Sequence, residues 1–276
     1  MIRTYLRGGR KKYMTLQKYS FTAAHFSNLP KSERLFFVRL ANVANDLRHV
    51  QLLTVREIQA TKECSGVEQE IALHHMIFGL RHWYAILNEA WRVVVSGWSG
   101  RRLGNKFYPK LLKGKKAFDD LRRYFSGKNL VRTIRDHFAS HYEIGYLPRV
   151  LDELTPSDEF HFVSSEHSVN TFYSVAEKVR NVALIATADE VGDDEMKSWN
   201  EARARVAIRK LYAEAGRITE KLDSFLGDLL PLILEPRSVQ ASSFISDAIS
   251  DSEVCCSMIF VDEDAIIARH RGSATP

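Results

Sequence analysis

Within the run Thr133-Ile134-Arg135-Asp136-His137-Phe138-Ala139-Ser140-His141-Tyr142, an arginine, an acid and two histidines fall within seven residues. These are the side chains that handle anions and protons. An arginine can grip a phosphate through paired donors, a histidine exchanges a proton near neutral pH, and a carboxylate can orient either of them. Leu130, Ile134, Phe138 and Tyr142 recur every four residues, the spacing of one helical face. The polar groups are therefore predicted to lie on a helix beside an apolar stripe. Arg135 and His141 are six apart, which is about 240° around an ideal helix. Acting on one phosphate would need a local distortion or a second copy of the helix facing the first. His137 and His141 are four apart and share a face. Such a pair can bind a metal, but a third ligand is required and none stands nearby, so no metal or other cofactor is expected. The competing reading of Arg135 and Asp136 is a structural ion pair, and of the histidines, ordinary hydrogen-bonding residues.

The elements that must position these groups read as helices. Apolar periodicity predicts one over residues 35 to 58, with Ser32 as its cap. Ser65-Gly66-Val67-Glu68 fits a capping box ahead of a helix through Trp91 that stops near Gly97 and Gly100. Residues 101–110, with Pro109, read as a loop, and a basic helix is expected over 111–125. Asn129 can cap the helix that carries the motif, which Gly145 and Pro148 end. Further helices are expected over 169–187 and from about 194 to 230, the last closed by Pro231 and Pro236. The strand candidates lie near 160–163 and 254–261. The prediction is an all-α protein, a helical bundle of about five or six helices with a less regular C-terminal tail. Its expected parts are a basic, partly disordered segment 1–30 (Met14 being a candidate start), a bundle over 31–190, a long helix over 191–237 packing on it, and a tail, 238–276.

Composition narrows the class. Hydrophobic residues make up 45% and charged ones 26% of 276 residues, a balance that supports a large core. There is no run of about 18 apolar residues and no secretory leader pattern, so no membrane association is expected. The cysteines are Cys64, Cys255 and Cys256, without zinc spacing, which points to a reducing cytoplasm. Between Arg101 and Arg135 stand twelve Lys or Arg against two acids, Asp119 and Asp120, while the whole chain carries only +5. This segment is either a polyanion-binding face or a solvated basic hairpin. Phe107, Tyr108, Phe118, Tyr124 and Phe125 are interleaved with its cations, either to stack on bases or as core at helical spacing. His75, His82 and Glu89 recur every seven residues, a polar seam that could line a cleft between helices. Phosphate-loop, dinucleotide-binding, nucleophile-elbow and zinc-protease motifs are absent from the sequence.

Arg135-Asp136-His137-Phe138-Ala139-Ser140-His141 resembles the Arg-x(4–6)-His motif of HEPN domains, with five residues between Arg135 and His141. Asn88-Glu89-Ala90-Trp91 is similar to a segment of abortive-infection-type HEPN-like proteins, and the resemblance spans roughly residues 33–188. It implies an α-helical bundle that forms a homodimer, bringing two Arg/His pairs into one cleft. It further implies a metal-independent endoribonuclease, of the kind found in toxin–antitoxin and phage-defence systems, with RNA as substrate and an antitoxin protein as possible partner. Arg135, Asp136 and His141 are then the catalytic set, with His137, Tyr142, Arg132, Lys128 and Glu89 at the substrate. Asp136 departs from the asparagine more frequent in the family. Some members lack activity, so the alternative is a non-catalytic module that binds RNA, a nucleotide or another protein.

Overall fold

The computed structural model describes residues 14–98, 102–139, 151–152, 160–163, 172–190, 201–234 and 240–246. The chain divides into a unit spanning Phe26–Glu235 and a second unit made of Met1–His25 with Pro236–Pro276. In the second unit strand β1 (Met14–Ser20) pairs antiparallel with strand β4 (Gln240–Ser246), Met14 opposite Ser246 and Ser20 opposite Gln240. Neither strand was expected, since the partners lie at opposite ends of the chain. A short helix, α1 (Ala23–Ser27), follows β1.

The larger unit is all-α in architecture and starts from two long antiparallel helices, α2 (Lys31–Glu63) and α3 (Gly66–Trp98). α2 begins at Pro30, whose carbonyl accepts from Glu33 N–H at 2.9 Å and Arg34 N–H at 3.0 Å. Ser32 thus lies inside the first turn and caps nothing, because Pro30 occupies the cap position two residues earlier. Phe36, Leu40, Val43, Leu47, Val50 and Thr54 alternate at spacings of four and three and are buried. α3 buries Met76, Ile77, Leu80, Tyr84, Leu87 and Val94 in the same core. Only Cys64 and Ser65 connect the two helices. Gly66 opens α3 at φ 59°, a left-handed conformation that glycine adopts at little cost, so this turn rests on Gly66 rather than on the expected capping box.

Residues expected as a loop form helix α4 (Arg102–Phe107) and a 3₁₀ turn, Tyr108–Lys110. Burial of Leu103, Phe107 and Leu111 accounts for the order there. Helix α5 (Lys113–Ser126) then meets the last helix, α8 (Glu201–Leu234). α8 buries Ala207, Leu211, Ala215, Ile218, Leu222, Phe225, Leu229 and Ile233 on one face. It runs past Pro231, which was expected to end it. The proline removes one backbone bond, while Ile233 and Leu234 remain buried beyond it, and that packing carries the last turn. Tyr84 donates to the Leu211 carbonyl at 2.8 Å and Trp83 to the Thr219 hydroxyl at 2.9 Å, tying α3 to α8. Strands β2 (Phe162–Val163), at one expected strand site, and β3 (Phe172–Tyr173) form a two-residue pairing before helix α7 (Ser174–Glu190). The candidate strand at 254–261 lies outside the described residues.

An aromatic cluster locks α3, α5 and α8 together. Trp91 stacks on Phe125 with centroids 5.0 Å apart and planes 8° from parallel. Phe118 meets Trp91, Trp98 and Phe225 at 6.0, 5.0 and 5.3 Å. Phe107, Phe118 and Phe125 are buried, and cations sit over the half-buried rings of Tyr108 and Tyr124. Of the two readings of these aromatics, core is the one the structure bears out. Among the described residues no helix is long and apolar enough to cross a membrane.

The start of α5 has no side-chain cap of its own. Asp228 of α8 supplies it, accepting from Leu112 N–H at 3.0 Å and Gly114 N–H at 2.6 Å. A Cβ at Gly114 would stand 2.9 Å from Asp228 Cβ and 3.2 Å from Phe225 Cα, so the helices cross too closely for any other residue. Gly114→Ala is expected to destabilise the fold by about 1–3 kcal/mol, the cost of overpacking. Gly227→Ala, at an exposed α8 position with nothing within 4 Å, should be neutral or stabilising by up to about 1 kcal/mol. Urea denaturation of both variants checks this, and equal midpoints would rule out the close crossing.

Candidate functional site

The motif begins where the sequence predicts. Asn129 Oδ1 accepts from Arg132 N–H at 2.9 Å, capping helix α6 (Leu130–Ile134), and the Asn129 carbonyl takes both the N–H and the hydroxyl of Thr133. Leu130, Ile134 and Phe138 are buried, as the stripe predicts. The helix does not stay α. Arg135–Ala139 is a π turn, a distortion that usually occurs as a single wide turn, often at functional sites. Arg135 N–H is shared between the carbonyls of Val131 and Arg132 at its entry. The turn keeps Phe138 in the core while Arg135, Asp136 and His137 sit half-buried beside it.

Arg135 is held by two carboxylates. Its Nη1 donates to Asp136 Oδ1 at 2.9 Å and its Nη2 to Glu89 Oε1 at 3.5 Å. Glu89, on α3, also accepts from Arg92 Nη1 at 3.0 Å. The side chains of Arg135, Asp136, Glu89 and Arg92 are 27%, 44%, 48% and 62% exposed. Two cations and two anions thus form a formally neutral group at the bundle surface. The hydrogen bond that Arg135 donates to Asp136 raises the affinity of its guanidinium for the proton above the usual arginine value, so Arg135 stays charged. Such a group can hold an anion if a carboxylate gives way, since charge-assisted donors are then freed.

The other predicted site residues are dispersed. Arg132 turns back and donates to the Phe125 carbonyl at 3.2 Å, closing the end of α5. Lys128 is exposed in the α5–α6 turn. His137 is half-buried with its ring 6.4 Å from that of Phe138. His141 and Tyr142 lie outside the described residues. Glu89 and Arg135 are brought together although 46 residues separate them. Among the described residues no three His, Cys, Asp or Glu side chains are grouped as a metal ion needs.

The seven-residue polar seam on α3 does not line a cleft. His75 is 59% exposed and 3.7 Å from Glu57, and His82 lies in the open with its ring 4.3 Å from that of Phe78. The buried seam runs one residue earlier, through His74, Arg81 and Asn88, since α3 turns that face toward α7. Arg81 Nη2 donates to Glu177 Oε2 at 3.3 Å. His74 Nδ1 lies 2.6 Å from the Asn181 amide nitrogen and its Nε2 lies 3.6 Å from Glu70 Oε1. Glu70 also faces His161 at 3.5 Å. With Asn181 donating, Nδ1 is the acceptor and the proton of neutral His74 sits on Nε2. This second polar group was missed. Its only signal is that His74, Arg81 and Asn88 share the stripe of Ile77 and Tyr84.

Burial depresses the proton affinity of His74 below the ordinary 6.5, against the pull of Glu177 and Glu70. A histidine whose folded value is depressed binds its proton more readily when unfolded, so stability falls as pH drops below 6.5. We expect the melting temperature to decline from pH 7 to 5 and to decline less in His74→Gln. Parallel curves for the two proteins would remove His74 from this dependence.

No protein-family model, no curated protein and no solved structure matches the chain.

Proposed function

We propose that the protein is a metal-independent endoribonuclease of the HEPN type, acting on RNA as a cytoplasmic homodimer, in phage defence or as a toxin restrained by an antitoxin. The observation that carries the reading is the setting of Arg135. It is a charged, part-exposed arginine on a π turn, separated by five residues from His141, at the end of the basic stretch that runs from Arg101. Lys110, Lys113, Lys115, Lys116, Arg122, Arg123 and Lys128 are all exposed in that stretch. Its two acids neutralise little of this charge: Asp119 accepts from the Tyr108 hydroxyl, and Asp120 accepts from Lys221 of α8 and pairs with Arg123 alone of these cations, at 3.9 Å. The cationic excess is therefore available to a phosphate backbone. RNA brings its own nucleophile. His141 would take the 2′-OH proton or protonate the leaving 5′-oxygen, and Arg135 would hold the scissile phosphate and its added negative charge.

A second reading, a non-catalytic RNA- or nucleotide-binding module, is favoured by one observation. Both terminal nitrogens of Arg135 are already bonded to carboxylates, as in a structural ion pair.

The test is cleavage of RNA in EDTA by the wild type beside Arg135→Ala and His141→Ala. We expect cleavage by the wild type alone, with losses of at least about 10²-fold for each variant. RNA bound but left intact by every form would favour the binding module, and equal cleavage by all three would exclude this site. We further expect Lys113→Gln with Lys116→Gln to lower the salt dependence of RNA binding by about 1–2 in the log–log slope. An unchanged slope would take α5 out of the RNA-binding face.

A further inference from the structure

Glu89 Oε1 lies 3.0 Å from Arg92 Nη1 and 3.5 Å from Arg135 Nη2. One oxygen atom is thus received by two guanidinium groups from two different helices. From this geometry we infer that the position is an anion seat for one backbone phosphate, that Arg92 is its second phosphate-binding arginine, and that Glu89 fills the seat as an internal mimic until RNA displaces it. The inference rests on reading Arg135 as a phosphate-binding residue, and it adds a residue and a gate to that site.

A phosphate oxygen placed where Glu89 Oε1 stands would accept from both arginines. Displacement is energetically accessible. Glu89 is half-exposed and Arg92 more so, and exposed ion pairs contribute little to stability. The freed carboxylate can turn to water without leaving a buried charge. Arg135 keeps Asp136 at 2.9 Å, so it stays oriented when Glu89 leaves. α3 is held on α5 by the Trp91–Phe125 stack two residues beyond Glu89, which keeps Arg92 in register with Arg135. The gate also works against weak ligands: Glu89 in place repels any anion whose bonds to Arg92 and Arg135 do not outweigh its own.

The experiment is fluorescence anisotropy with a single-stranded 2′-O-methyl oligoribonucleotide, which binds as RNA but lacks the nucleophile, at one fixed salt concentration. Glu89→Gln, which keeps the shape and removes the charge, is expected to bind about three- to tenfold more tightly. Glu89→Ala should do the same. Arg92→Ala should bind about three- to tenfold more weakly, and adding it to Glu89→Gln should abolish the gain, the coupling of a double-mutant cycle. Glu220→Gln, an exposed carboxylate on α8, measures the gain from removing any negative charge. The inference is overturned if Glu89→Gln gains no more than Glu220→Gln, or if Arg92→Ala binds like the wild type, while Arg135→Ala still weakens binding. If Arg135→Ala itself binds like the wild type, the phosphate reading of Arg135 fails first and the seat fails with it.

Discussion

The stacking of Trp91 on Phe125 and the contacts of Phe118 around it fix α5 against α3 and α8. Aromatic pairs of this kind are worth about 0.5–1.5 kcal/mol each beyond the area they bury, and here several share one ring. The rest of the candidate site hangs from this lock. Glu89 and Arg92 are on the turn of α3 that carries Trp91, Arg132 reaches back to the carbonyl of Phe125, and the Tyr124 hydroxyl meets Val131 N–H. α6 can only enter where these partners wait for it, which places Arg135 beside Glu89.

Two polar groups of different character grow from the same helix. The Arg135 group is exposed, neutral in sum and made of weak pairs, so its members can exchange partners at low cost. The His74 and Arg81 group is buried against α7. There a lost partner would leave a charge or dipole in low dielectric, which is costly. The first arrangement suits a site that must open to a ligand. The second suits specific docking of α7, where Asn181 and Glu177 sit four residues apart and meet His74 and Arg81 in turn.

Much of the helical framework could be read directly. The four-residue stripe of Leu130, Ile134 and Phe138 is buried as its spacing implies, and Asn129 caps as its type and position imply, because both depend on neighbours within two turns. The errors have physical causes. Ser32 was passed over because Pro30 starts α2 first. α4 forms because Leu103 and Phe107 find a core the local sequence does not reveal. The buried polar seam on α3 lies one residue before the expected one because His75, His82 and Glu89 have the same period as His74, Arg81 and Asn88, and periodicity alone does not say which of two adjacent stripes turns inward.

The sequence by itself determined the helical class, the basic stretch ahead of Arg135 and the set of side chains able to do chemistry, since these follow from composition and short-range spacing. Only the tertiary structure decided that Arg135 answers to Glu89 and shares it with Arg92, that the motif turn is π rather than α, and that β1 finds its partner in β4. Those outcomes depend on which segments, distant in sequence, meet. That choice is made by long-range burial, which no local pattern encodes.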